Sequence, residues 1–171
     1  MRLYLVLVLL AFAAGRARAD ERVDDGSVPT GGRHYLAVGM ESVVLSTPAM
    51  TPDAAHPTTI EAGHQVAELP LYLRVAVGAT PAGYVDTRAG LDLRIGTIVK
   101  GVFGIDAGYQ HDPREVDAMY SVEGPYVAPR LGLEVGTQDL WVRGAFDWRY
   151  TLARGASGHA GSFALLAGHD F

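Results

Sequence analysis

From Tyr84 to Gly96 the chain reads as two interleaved strings: Val85, Thr87, Ala89, Leu91, Leu93 and Ile95 alternate with Tyr84, Asp86, Arg88, Gly90, Asp92, Arg94 and Gly96. All four charges share one parity. A period of two belongs to an extended strand with one apolar and one polar face, and a helix cannot produce it. The same alternation sets Leu69, Leu71, Leu73, Val75 and Val77 against Tyr72 and Arg74, then Phe103, Ile105, Ala107 and Tyr109 against Asp106 and Gln110. It returns with Val127, Leu131, Leu133 and Val135 against Arg130 and Glu134, and with Leu140, Val142, Phe146, Trp148 and Tyr150 against Trp141, Arg143, Asp147 and Arg149. A last strand carries Phe163, Leu165, Ala167, His169 and Phe171 on one side.

Between these runs lie short stretches rich in Gly, Pro and Asp: Ala79 to Gly83, His111 to Arg114 and Gly136 to Asp139. Such turn residues join antiparallel neighbours. The expected fold is all-β, an eight-stranded antiparallel up-and-down transmembrane barrel. The even count is completed by reading Arg33 to Leu45 as the first strand and Glu115 to Glu123 as the fifth. Both termini then share one side with those three turns, while Ser46 to Gln65 and Leu152 to Gly158 form loops at the other.

The N-terminus sets the compartment. Met1-Arg2 leads into the apolar run Leu3 to Ala14, and Ala17-Arg18-Ala19 has the small-x-small spacing of a signal-peptidase site, so cleavage is predicted before Asp20. The apolar run is too short for a permanent membrane helix of about 20 residues. Residues 1–19 are thus read as a signal peptide. Residues 20–32 are a polar, turn-rich leader with too little apolar content to order itself, and residues 33–171 are the barrel. Losing residues 1–19 removes three arginines and no acid, leaving 11 basic against 19 acidic side chains, a net charge of −8. That balance, with Lys100 the single lysine, excludes a phosphate-neutralising nucleic-acid binder. The absence of cysteine removes disulfides, thiolate metal sites and a lipoprotein anchor.

Alternation alone does not say which face is inside, because a soluble barrel of lipocalin type has the same pattern inverted. The polar face here mixes long arginines with Gly90, Gly96, Gly104, Gly108 and Gly132, in place of the Lys, Glu, Thr and Gln usual on a solvated strand. Small residues beside long charged ones suit a lumen that side chains fill, as in a barrel of about eight strands. The predicted ion-pair network sets Arg74, Arg88, Arg94, Arg130, Arg143 and Arg149 against Asp86, Asp92, Asp106, Glu134 and Asp147, with Glu41 and Glu68 as further acids. Of these, Arg88, Asp92, Arg94 and Arg143 are the expected plug. Outward Phe146, Trp148, Tyr150, Phe163 and Tyr109 are candidates for interfacial girdles.

In these features the chain resembles the small outer-membrane β-barrel proteins of Gram-negative bacteria, of which the OmpA transmembrane domain is one. The resemblance rests on the segment Met1 to Ala19 and on the last strand Gly161 to Phe171 with its terminal aromatic. It implies a cell outer-membrane location after Sec-dependent export, contact with outer-membrane lipid, and a monomer with periplasmic termini. It also implies recognition by the barrel assembly machinery through Phe163, Leu165 and Phe171. His169 departs from the aromatic or aliphatic residue expected at its position.

Three functions fit these readings. The first is a non-enzymatic barrel with a filled lumen, in a structural or surface-interaction role that includes a narrow gated pore. The second is a soluble periplasmic binding barrel with the apolar face inward. The third is an outer-membrane lipid hydrolase or acyltransferase drawing on Ser157, His159 and Ser162, in a run that reads first as a flexible loop. No cofactor and no metal is expected: His56 and His64, with Asp53 and Glu61 nearby, are eight residues apart across Pro57, which fits no ligand spacing. The glycine-rich stretches lack a phosphate-loop lysine.

Overall fold

The computed structural model describes residues 33–46, 53–67, 69–113, 123–137, 139–152 and 159–171. Within them lie β1 (His34–Ser46), β2 (Asp53–Ala55), β3 (Thr58–Gln65), β4 (Leu71–Ala79), β5 (Val85–Gly96), β6 (Val99–His111), β7 (Gly124–Gly136), β8 (Trp141–Thr151) and β9 (His159–Asp170). Each pairs antiparallel with its neighbour in the sheet, and β9 returns to β1, from Tyr35↔Asp170 to Ser46↔His159, so the sheet closes on itself.

Nine segments make eight barrel strands, because β2 and β3 run against β1 in one register: Val43 faces Ala55 and Met40 faces Thr58. The interruption is Pro57. The Glu41 N–H still donates to the Pro57 carbonyl at 3.0 Å, but proline has no N–H with which to return the bond.

This corrects the expected strand list. The segment Ser46 to Gln65, read as a loop, supplies the second barrel strand. Eight strands close without Glu115 to Glu123, which apart from Glu123 lies outside the described residues. The sidedness of two turns changes with it. Chain entry at β1 and exit at β9 define a terminal rim, which carries the β3–β4, β5–β6 and β7–β8 connections. Ala79 to Gly83 and His111 to Pro113 therefore sit at the opposite, loop rim, and of the three predicted turns only the one between β7 and β8 lies beside the termini, Arg114 and Gln138 being outside the described residues. Residues 1–32 and the cleavage site predicted there lie outside the described residues.

The wall separates its residues by chemistry. Inward positions hold every buried charge, while the outward positions of the described strands hold no Asp, Glu, Lys or Arg. Outward side chains are instead large and apolar, for example Leu73, Val75, Phe103, Ile105, Leu131, Leu133, Phe146 and Leu165, all left exposed. A contiguous band of this kind far exceeds the few-hundred-Å² patch of a soluble monomer. It is the arrangement of a barrel whose solvent is hydrocarbon. The inverted, lipocalin-like arrangement is thereby ruled out, since its binding cavity would need the apolar face inside.

Candidate functional site: the charged lumen

The lumen is built in tiers, because each inward residue recurs two positions along its strand and meets the corresponding level of the next strand. At the centre stands Glu61 on β3. Its carboxylate accepts hydrogen bonds from Tyr35 Oη at 2.8 Å, Arg74 Nη1 at 3.0 Å, Arg130 Nη1 at 3.2 Å and Arg143 Nη1 at 2.7 Å. Arg74 spreads its guanidinium further, from Nε to Asp92 at 3.0 Å and from Nη2 to Asp106. Arg130 also faces Asp147, its cross-strand partner, at 3.8 Å. Side-chain exposure of Glu61, Arg74, Arg130 and Arg143 is 0%, so no water-wide path passes them.

Toward the loop rim, Glu41 and Asp86 take the charge of two arginines. Arg88 meets Glu41 at 2.9 Å and Asp86 at 2.7 Å, and Arg149 contacts both acids. Around them Tyr126 Oη donates to Asp86 at 2.6 Å, Thr59 Oγ1 to Glu41 at 3.2 Å, and Arg149 to Tyr84 Oη and Gln110 at 2.9 and 3.0 Å. Tyr84 packs with Val43, Ala55 and Ala160 in an apolar cap above this tier.

Toward the terminal rim, Glu134 gathers Arg143 at 2.6 Å, Lys100 at 2.8 Å and Arg94 at 3.3 Å. Arg94 is held mainly by ring faces: its guanidinium carbon lies 4.2 Å from the Tyr35 ring, 3.9 Å from Tyr72 and 5.5 Å from Trp141. Cation–π attraction strengthens where water is excluded. These rings, with Ala37, Ala164 and Leu166, form the second apolar cap, and Trp141 Nε1 is satisfied by Asp170 at 2.7 Å. The lumen is thus a band of ion pairs between two aromatic lids.

Glycines make room for this filling. Tyr35, Trp141, Asp92 and Tyr126 each face a glycine directly across the ladder, at Gly63, Gly168, Gly104 and Gly108. A Cβ at any of the four would overlap the opposite side chain. The large residue lies over the bare backbone, which is how an aromatic covers a strand glycine.

The eleven residues of the predicted network (Arg74, Asp86, Arg88, Asp92, Arg94, Asp106, Arg130, Glu134, Arg143, Asp147 and Arg149) all lie buried inside the wall. Sequence reasoning missed the hub. Glu61 fell in the supposed loop, where Ile60 alone among the outward positions Thr58, Ile60, Ala62 and His64 is large and apolar. The aromatic lids, Tyr35, Tyr72, Trp141 and Tyr84, were also not singled out. Glu68 lies outside the described residues. Phe163, Leu165 and Phe171 are exposed on the outer face.

The hydrolase arrangement does not assemble from the described residues. His159 faces outward against the rings of Trp148 and Tyr150, whereas Ser162 is buried inside against Asp147 at 3.4 Å. The wall stands between them, and Ser157 lies outside the described residues. His56, at the interruption between β2 and β3, and His64 lie eight residues apart along one barrel strand, about 26 Å at 3.3 Å per residue. Among the described residues no group of three or more His, Cys, Asp or Glu converges as a metal site.

No family model matches the sequence, and no curated protein matches it. Solved structures do. Neisserial surface protein A (NspA) superposes with a TM-score of 0.64 at 12% identity, over 81% of this chain and 97% of that one. The N-terminal β-barrel domain of Pseudomonas aeruginosa OprF gives 0.56 at 11%, over 82% and 99%. Ail, the attachment invasion locus protein of Yersinia pestis, gives 0.53 at 12%, over 82% and 99%. At such identity the likeness is one of architecture, and what it establishes is that this chain has the fold of the small eight-stranded outer-membrane β-barrels.

Proposed function

We propose that this chain is a non-enzymatic outer-membrane barrel, exported with cleavage before Asp20, whose ion-paired lumen is a structural core and whose task is to stand in the membrane and present its loops. One observation carries the reading: charge lies inside and the outward strand positions are free of Asp, Glu, Lys and Arg. In hydrocarbon an outward charge is costly and an outward leucine is not, whereas in water the pattern would invite aggregation. The lumen fits the same reading. Substrate or ion passage needs an open polar path, and here the inward arginines and acids are ion-paired with one another between two lids.

On this reading lipid is the principal partner. The outward face of the last strand, with Phe163, Leu165 and Phe171, is the surface offered to the barrel assembly machinery, and the barrel acts as a monomer.

The test is folding of residues 20–171 with and without amphiphile. In detergent or lipid the unboiled protein is expected to migrate apart from the boiled one, while dilution into plain buffer gives precipitate. A monodisperse folded monomer in buffer alone overturns the proposal. Planar-bilayer recording of the folded form is expected to stay at baseline, and steady channel events would replace the structural core with a pore.

A further inference from the structure

The outer wall, free of charge along its strands, carries imidazoles at its rims, and two of these oppose each other directly: His34 on β1 and His64 on β3. The Gln65 N–H donates to the Arg33 carbonyl at 2.7 Å, which makes 33/65 a hydrogen-bonded pair and 34/64 the adjacent non-hydrogen-bonded one. In an antiparallel ladder that is where facing side chains come closest, with Cβ atoms about 4.5 Å apart. The two rings lie with centroids 4.5 Å apart and planes inclined at 34°, and both residues are exposed on the outer face.

We propose that His34 and His64 form a two-imidazole site for one divalent transition-metal ion of the Cu²⁺, Ni²⁺ and Zn²⁺ group. Metal–imidazole bonds of about 2.0–2.1 Å place the two donor nitrogens about 3 Å apart around a shared ion. Rings already 4.5 Å apart reach that by side-chain rotation, with the strand register supplying the preorganisation. Neutral imidazole nitrogens select the borderline ions over Mg²⁺ or Ca²⁺, with Cu²⁺ tightest. Water completes the coordination.

Among the described residues no third His, Cys, Asp or Glu side chain joins the pair in a metal-binding group. Phe171 stacks on His34 at 6.0 Å, and His169 lies beyond it, 6.3 Å from the Phe171 ring, with Nδ1 set against the Asp139 carbonyl. His169 shares the rim and the exposure but not the opposed register, which makes it the control.

The experiment is calorimetric titration of CuCl₂ and ZnCl₂ into the folded barrel in micelles, on protein carrying no polyhistidine tag, with His34→Asn, His64→Asn and His169→Asn alongside. Unboiled gel mobility checks that each variant is folded. The expected result is one ion per barrel, Cu²⁺ bound more tightly than Zn²⁺. Affinity should fall at least tenfold in each of the first two variants and stay within twofold of the parent in the third. Absence of saturable binding, a loss below tenfold in either His34→Asn or His64→Asn, or a larger loss in His169→Asn overturns the site. The inference rests on strand register and ring geometry, so it stands or falls separately from the membrane reading, which the buffer-folding experiment decides.

Discussion

Glu61 ties β3 to four other barrel strands, through Tyr35 on β1, Arg74 on β4, Arg130 on β7 and Arg143 on β8. A buried ion pair need add little over a well-packed apolar alternative, but removing one member strands the others without water. Glu61→Gln leaves three guanidiniums short of one charge and is expected to lower stability by about 3–5 kcal/mol, read from the urea midpoint in micelles. Lys100→Gln touches a terminal-rim pair whose acid, Glu134, keeps Arg143 and Arg94, and is expected to cost clearly less; equal losses in the two variants would remove Glu61 from its place as hub. The glycine sockets make a separate prediction. Gly168→Ala sets a methyl against the Trp141 indole, an overpacking of about 1–3 kcal/mol. In a Trp141→Ala background the same substitution should cost close to nothing, so a double-mutant cycle reads the socket directly.

Strands became legible where outward positions are strongly apolar and inward ones charged, as in β5 with Leu91, Leu93 and Ile95 against Asp92 and Arg94. β3 offers Thr58, Ile60, Ala62 and His64 outward, only one of them large and apolar, and it begins after His56-Pro57. Its pairing is supplied by neighbours on both sides, β1 and β4, so tertiary context and not its own pattern makes it a strand. Losing β3 from the reading also hid Glu61 and inverted the side of two turns. The charge network was legible residue by residue for the opposite reason: charges of fixed parity have one interior to occupy. The aromatic lids were not, because a tyrosine on the polar parity looks the same whether it caps a lumen or lines it. At this scale the membrane reading makes a depth-dependent prediction. Ile105 lies midway along β6 and Val99 at its terminal-rim end, both facing outward. Ile105→Arg should cost about 2–4 kcal/mol when the barrel folds into bilayers, and Val99→Arg about 0–1 kcal/mol. A flat dependence on depth, measured by urea titration in lipid vesicles, would place the apolar band in something other than hydrocarbon.

For the whole barrel, closure comes from three levels in series, and series barriers make a testable order. The terminal lid consists of Tyr35, Tyr72 and Trp141 around Arg94, the loop lid of Tyr84 with Val43, Ala55 and Ala160, and the central tier of Glu61 and its arginines with no exposed side-chain surface. Removing one lid leaves the central tier intact. Tyr72→Ala combined with Trp141→Ala is therefore expected to leave planar-bilayer conductance at baseline, although it lets water reach Arg94. Adding Glu61→Ala and Arg74→Ala removes one charge of each sign and so keeps the net charge of the lumen, while Arg130 and Arg143 lose one acceptor and Asp92 and Asp106 one donor. It also clears bulk from the central tier, in a lumen that only side chains fill. That quadruple variant still carries the loop lid and is expected to stay at baseline; with Tyr84→Ala added, and if its unboiled band shows a folded barrel, the protein is expected to conduct in steady steps. Conductance already present in the double variant would mean that the terminal lid alone holds the barrel shut, and the central ion pairs would then serve stability without sealing.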